Sequence, residues 1–328
     1  MGRIKNFFKE NISYIVVFII MMGIIYIRLP YYIMIPGGTI DISDKVILSN
    51  GHKLNGKVNM LYASEVEATI PTYLFSLFND KWDLFKNEER MIGNESLRDV
   101  NIREKLLLEN SVDNAIYASY KLLDYDINIT DVKDYVIGKS EDSTCDFVVG
   151  DIITYVNDID INSINLNEYI DKFDVGDIIN FRVISDDVEV NRSCSVGLVD
   201  GLKKLGVVLI RNFDYKLDGV DINFSGREGG SSGGFMMSLS IYLSLSDEDI
   251  LKGRVIAGTG TIDSLGNVGE IGGVKYKIIG AYRNNIELVF VPYENYDEAI
   301  YIRDKYKYDM DIVKVKSLQE AVDYLRSN

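Results

Sequence analysis

Between Glu10 and Arg28 the chain carries no charged side chain, and Ile12-Ser13-Tyr14-Ile15-Val16-Val17-Phe18-Ile19-Ile20-Met21-Met22-Gly23-Ile24-Ile25-Tyr26-Ile27 is nearly all apolar. Such a run must leave water, because no polar face is available to make it a surface helix. As a helix continued through Arg28 and Leu29 it would span about 27 Å, close to the hydrocarbon thickness of a bilayer. Arg28 could then snorkel to the interface beside Tyr26, Tyr31 and Tyr32. Arg3, Lys5 and Lys9 precede the run against one Glu10, and the next charges after Arg28 are Asp41 and Asp44. The positive-inside rule therefore puts the N-terminus in the cytoplasm and the bulk of the chain outside. A cleaved signal peptide is the competing reading. The run is long for one, and Leu29-Pro30-Tyr31-Tyr32-Ile33-Met34 offers no small-residue cleavage pattern. A retained anchor is expected.

The 328 residues leave room for two domains beyond that anchor, and 47% hydrophobic residues suffice for their cores. A net charge of -15 argues against nucleic acid, whose phosphates require clustered Lys and Arg. Cys145 and Cys194 are too few for a disulfide scaffold and fit no metal motif. They are expected as two ordinary buried thiols rather than as a pair. No metal and no cofactor is expected.

Four regions follow from the patterning. Residues 1–30 are the cytoplasmic end and anchor. Residues 31–130 open with Pro36-Gly37-Gly38, read as a chain break, and continue with short strands such as residues 56–62. A helix is expected over residues 111–123, where Ile116, Tyr120 and Leu123 recur at helical spacing. This region shows no chemistry and is expected to pack with the next, while Trp82 and its aromatic neighbours read as core. Residues 131–200 read as a small β-rich unit, with strands over 178–185 and 188–196 around an Asp186-Asp187 turn. Residues 201–328 read as α/β, with strands over 206–210, 255–259 and 288–292, and a last helix capped by Ser317 and Glu320.

Chemistry concentrates in two segments of the last region. Gly230-Ser231-Ser232-Gly233-Gly234 holds serine in a glycine cradle. The apolar helical run Phe235-Met236-Met237-Ser238-Leu239-Ser240-Ile241-Tyr242-Leu243 follows it. Glycines before a helix let free backbone amides approach a ligand, and the positive end of the helix dipole faces it. That geometry suits stabilisation of an oxyanion. The cradle matches G-x-S-x-G, but the only histidine, His52, lies far upstream, so a Ser-acid-His order is excluded. A phosphate loop would need a lysine that the cradle lacks. In the second segment, Val274, Lys277, Ile278 and Ala281 share one helical face behind Gly273. Lys277 therefore sits on the stripe that is buried, where desolvation favours the neutral amine, a general base for serine. Lysine snorkelling to water is the plain alternative.

Together the two segments resemble the proteolytic domain of Lon-type serine proteases, over residues 201–328. The resemblance implies that Ser232 is the nucleophile and Lys277 the dyad lysine, at the end of Ile271-Gly272-Gly273-Val274-Lys275-Tyr276-Lys277. It also implies that Thr259, within Ala257-Gly258-Thr259-Gly260-Thr261-Ile262-Asp263, hydrogen-bonds the lysine, and that the loop backbone at Gly230, Ser231 and Gly233 receives the oxyanion. The chain departs from the family at Ser231, where relatives have Pro, and at Gly233, where they have Ala. Two adjacent serines are present, and spacing favours Ser232. Glu228 lies one position from the acidic residue of many ATP-dependent relatives and is given no role.

The order of residues 131–199 resembles a PDZ domain of the bacterial protease-associated type, although residues 135–147 lack the usual apolar-glycine carboxylate loop. The expected fold is thus an α/β (α+β) Lon-type proteolytic domain preceded by a β-rich PDZ-like domain and one N-terminal transmembrane helix. The combination resembles membrane-anchored PDZ-Lon proteases. It implies an ATP-independent serine endopeptidase that cleaves peptides or flexible protein segments at the outer face of the cell membrane. The alternative is a non-catalytic membrane scaffold that only binds peptides. The oligomeric state, including a homo-oligomer, is left open.

Overall fold

The computed structural model describes residues 11–199, 201–217, 219–224 and 228–328. Arg3, Lys5, Lys9 and Glu10, which set the expected orientation of the anchor, lie outside these residues. Helix α1 (Ile12–Tyr26) leads almost directly into strand β1 (Arg28–Asp41). Then come β2 (Val46–Leu48), β3 (Lys57–Thr69), α2 (Ile70–Ser76), β4 (Asp83–Lys86) and the long helix α3 (Leu97–Leu122). A middle section holds β5 (Asn128–Lys139), β6 (Ile152–Val156), β7 (Ile159–Asp160), α4 (Leu166–Ile170), β8 (Ile178–Ser185) and β9 (Val188–Ser195). It ends with β10 (Gly197–Val199), β11 (Leu202–Lys204) and β12 (Val207–Lys216). After β13 (Val220–Ile222) come α5 (Gly234–Leu245), β14 (Val255–Gly258), β15 (Thr261–Ile262), β16 (Val268–Gly269) and α6 (Val274–Arg283). The chain closes with β17 (Leu288–Pro292), α7 (Tyr296–Tyr306), β18 (Asp311–Val315) and α8 (Leu318–Ser327).

Helix α1 is shorter than the expected span. It stops at Tyr26 because Ile27 turns extended and Arg28 enters a strand paired with β3 and β4. Among the described residues no helix is long and apolar enough to cross a membrane. The helix nevertheless buries none of its residues.

Six strands form a mixed sheet in the order β18-β17-β14-β3-β1-β4, with β18, β17, β14 and β3 parallel and β1 and β4 antiparallel to their neighbours. Both faces of its centre are covered, as parallel strands require. On one face Ile256 and Phe290 pack with α3, α5 and α8; on the other Ala257, Val289 and Val291 pack with α6 and α7. Alternation along β14 and β17 sends successive side chains to opposite layers. Strands β1, β3 and β4 of region 31–130 therefore hydrogen-bond into the C-terminal sheet, while β2 pairs with β13. From that region α3 also packs on β5 and β12.

Pro36-Gly37-Gly38 does not break the chain. It is a register shift inside β1, between Pro36 and Thr39. Gly37 can be nothing larger, because a Cβ there would lie 2.1 Å from the Tyr62 carbonyl oxygen. Helix α6 lies across this shift with Gly280 against the backbone of Gly37 and Gly38. The middle section is an antiparallel sheet in the order β12-β5-β6-β8-β9, with β7 on β6 and its own core around Phe147, Ile179 and Phe181. The run over 206–210, read as the start of the C-terminal unit, opens β12 and pairs with β5 instead. An apolar strand does not announce its partner. Cys145 and Cys194 are also not free thiols: they form a disulfide between the β5–β6 connection and β9.

Gly280→Val tests the α6 contact. A Cβ at that position would meet the Gly37 carbonyl carbon at 3.1 Å, and backbone cannot rotate away. Overpacking of this kind costs about 1–3 kcal/mol. The expected outcome in a thermal melt is a lower Tm, accompanied by loss of any activity that depends on α6. An unchanged Tm would contradict the packing described.

Candidate active site

Helix α5 starts where the glycine cradle ends. Its apolar run is buried from Gly234 to Leu243 between the sheet and α3, so the preceding loop is drawn against the ends of the central strands β3 and β14. The cradle glycines are there for close approach. A Cβ on Gly234 would meet Ser111 Oγ at 2.4 Å, one on Gly233 would meet Met60 Sδ at 2.8 Å, and Gly230 holds φ at +80°. Met60 thus occupies the space that the methyl of an alanine at 233 would need.

Lysine arrives from the other layer. Gly273 caps α6 in the left-handed region (φ 71°), and Val274, Lys277, Ile278 and Ala281 are all buried, as their spacing implied. Lys277 is 4% exposed, so it does not snorkel. Asn295 anchors the approach to this helix, its side chain accepting from Ile271 N–H at 2.9 Å and donating to Ile271 C=O at 3.0 Å.

Thr259 follows β14 directly, and at 1% exposure it joins the two segments. Lys277 Nζ donates to Thr259 Oγ1 at 3.0 Å, and Thr259 Oγ1 donates to the Ser232 carbonyl oxygen at 3.0 Å. The same carbonyl accepts from Gly260 N–H at 2.8 Å. A threonine hydroxyl has one hydrogen. Given to Ser232, it obliges the lysine to be the donor in the other bond, and a neutral amine making that bond keeps its lone pair free.

Burial pushes the Lys277 ammonium down from its ordinary 10.5 to about 7, the only cause being loss of solvation. No carboxylate opposes the shift. About half of the amine is thus available as a base at neutrality, and most of it above that.

Ser232 opens into a cleft of about 1550 Å³. One wall is β3 from Met60 to Val66, the other is α3 at Val100, Glu104, Leu108 and Val112, and the floor is Gly229, Gly230, Ser232 and Gly233. Lys277 lies behind Thr259 and does not line the cleft. Among the described residues no direct hydrogen bond joins the Ser232 hydroxyl and the Lys277 amine; Thr259 links the amine to the Ser232 backbone carbonyl instead. Catalytic hydrogen bonds commonly shorten only when substrate is bound.

Gly230, expected among the oxyanion amides, has its N–H occupied by the Glu104 carbonyl at 2.9 Å. The Ser232 N–H has no acceptor among the described residues. Glu228 pairs with Lys45 at 2.8 Å. His52 is exposed, with its own N–H bonded to the Ser244 carbonyl, and it takes no part. Sequence reasoning missed Ser111 and Asn295, both buried polar residues with no motif around them. Among the described residues no group of His, Cys, Asp and Glu could hold a metal ion.

Residues 225–326 match the family model of the Lon protease (S16) C-terminal proteolytic domain. Over these residues the chain is similar to the proteolytic domain of a serine-peptidase family. Similar proteins include Lon protease 2 of Borreliella burgdorferi, 34% identical over 119 residues, which is 35% of this chain and 15% of that protein. The Lon protease of Escherichia coli K12 is 32% identical over 99 residues, 30% of this chain and 12% of its own length. That of Campylobacter concisus is 29% identical over 156 residues, 43% of this chain and 19% of its own. The chain thus spans less than a fifth of the length of each.

The desolvated lysine has a stability consequence. Between about pH 7 and 10.5 the unfolded chain binds a proton at Lys277 that the folded chain does not, so this residue makes stability rise with pH across that window. Below about 7 its penalty is complete. Lys277→Met, which keeps the volume and removes the charge, should raise Tm at pH 6 and bring progressively less gain toward pH 10. Parallel pH–Tm curves for variant and parent would contradict a neutralised lysine.

Proposed function

We propose that the chain is a membrane-tethered serine endopeptidase that cleaves peptides or flexible protein segments without coupled ATP hydrolysis. Ser232 Oγ attacks the scissile carbonyl, and Lys277 takes its proton and returns it to the leaving amine. The observation that carries this reading is the buried Lys277 amine held by Thr259, the residue that also holds the Ser232 carbonyl. Serine with an amine base accomplishes the same acyl transfer as a Ser-His-Asp triad.

The cleft supports a peptide substrate. Strand β3 pairs with β14 only from Lys57 to Met60, so along the cleft its outer edge is unpaired from Leu61 onward among the described residues. An extended peptide can add there as a strand, with main-chain bonds giving affinity independent of sequence. The middle sheet is proposed as a PDZ-like module that binds peptide. Residues 135–147, which lack the apolar-glycine signature, run from β5 into the β5–β6 connection, where Cys145 is bonded to Cys194.

Two features support placement at the outer face of a membrane. Helix α1 exposes its apolar side chains, including Phe18 at 62% and Ile19 at 61%, a surface that lipid would cover. The disulfide belongs to oxidising compartments. Freedom from ATP rests on the sequence, where no G-x-x-x-x-G-K-[ST] run occurs.

Cleavage of a fluorogenic peptide by the full chain in detergent tests the dyad. Ser232→Ala and Lys277→Ala should each lower kcat by about 10³-fold or more, while Ser231→Ala and His52→Ala stay close to the parent. Full activity in either dyad variant would remove the mechanism. Location is tested separately by quenching cells in acid and alkylating the denatured lysate. Cys145 and Cys194 should resist modification until a reductant is added, and ready modification without it would oppose an extracytoplasmic middle section.

A further inference from the structure

Helix α3 lies outside the segment that matches the proteolytic family, and its sequence shows no motif. It nevertheless grips the nucleophile loop at two points. The Glu104 carbonyl accepts from Gly230 N–H at 2.9 Å. About two turns further on, Ser111, only 2% exposed, donates its hydroxyl to the Ser231 carbonyl oxygen at 3.1 Å. Gly234 N–H reaches the same oxygen at 3.2 Å. Lower down, the Ser119 hydroxyl lies between the Ala115 carbonyl of its own helix at 2.5 Å and the Ser238 carbonyl at 2.8 Å, which keeps the two helices close.

The Ser231 carbonyl and the Ser232 N–H belong to one peptide unit. No peptide bond among the described residues is cis, so the two groups point in opposite directions. Ser231 C=O is drawn inward to a buried hydroxyl, and Ser232 N–H faces away from it. Ser232 lines the cleft, and its N–H has no acceptor among the described residues. An oxyanion donor must be aimed before charge develops, since its worth comes from needing no reorganisation.

We propose that Ser111 is a positioning residue: by anchoring the Ser231 carbonyl it fixes the Ser231–Ser232 peptide with the Ser232 N–H turned to the oxyanion. This rests on Ser232 being the nucleophile. Ser111 touches no reacting atom and acts only through that peptide plane. Removing its hydroxyl leaves one bond, from Gly234, to hold the plane, and the amide then samples orientations that miss the tetrahedral oxygen. The loss falls on the transition state and spares the bound substrate.

The full chain is assayed as Ser111→Ala and as Ser111→Cys, which keeps the volume but donates weakly. Three readouts separate orientation from general damage: kcat against KM on a peptide substrate, affinity for a peptide aldehyde, and affinity for the matching peptide alcohol. The aldehyde is attacked by the nucleophile to give a hemiacetal oxygen at the oxyanion position, whereas the alcohol is not. The expected result is a kcat lower by about tenfold with KM within twofold, an aldehyde affinity weakened by the same factor, and an unchanged alcohol affinity. This factor is below the 10²–10³ lost when a donor itself is removed. If Ser111→Ala does not fold, Ser111→Cys decides the matter.

A kcat within twofold of the parent in the folded variants overturns the proposal. So does a loss shared equally by aldehyde and alcohol, which would mean a distorted cleft. Ser232→Ala is run alongside. If it retains cleavage and aldehyde binding, the nucleophile assignment is what has failed; if it is inactive while the Ser111 variants are normal, only the role of Ser111 has failed.

Discussion

One threonine hydroxyl ties the catalytic centre together. Thr259 Oγ1 accepts from the Lys277 amine and donates to the Ser232 carbonyl, so the helix that carries the proposed base and the loop that carries the proposed nucleophile share a single fixed point. The strand end that carries Thr259 is itself locked, its N–H bonded to the Phe290 carbonyl of β17 at 3.1 Å. Reagents from both layers thus converge at the carboxyl end of a central parallel strand, the usual position of sites in open α/β sheets. The same burial that packs α6 onto the sheet strips water from Lys277 and lowers its proton affinity. Packing and basicity have one cause, and neither can be altered alone.

Much of the site was legible in the residues. Glycines ahead of an apolar run marked a loop pressed against buried structure, and the 3.6-residue period of Val274, Lys277, Ile278 and Ala281 placed the lysine inside. Helix α6 and strand β17 have the expected limits because each is bounded by strong breakers, Gly273 before one and Asn284-Asn285 between them. The local chemistry of these segments agrees with their tertiary role.

What the residues did not convey was partnership. Strands β1 and β3 sit in the catalytic sheet, while the strand opening at Val207 belongs to the middle sheet, and each looks the same from within its own segment. Pro36-Gly37-Gly38 carried every sign of a break, yet it lies inside a strand because Tyr62 and α6 need the space that side chains would fill. Helix α3 was longer than its clear periodicity, and its contribution to the loop depends on Ser111, whose importance arises only from what stands opposite. The disulfide likewise joins residues 49 positions apart, brought together by the β5–β6 connection and β9.

The central claim is that burial makes Lys277 of the folded protein lose its proton near pH 7, far below an ordinary lysine. It is tested most directly by following its side-chain 13Cε and 15Nζ resonances through a pH titration of the labelled chain, with Lys277→Met used for assignment. The account requires a transition centred near pH 7, well separated from the other lysines. A Lys277 signal that remains in its ammonium form up to about pH 10, as an ordinary lysine does, would contradict it.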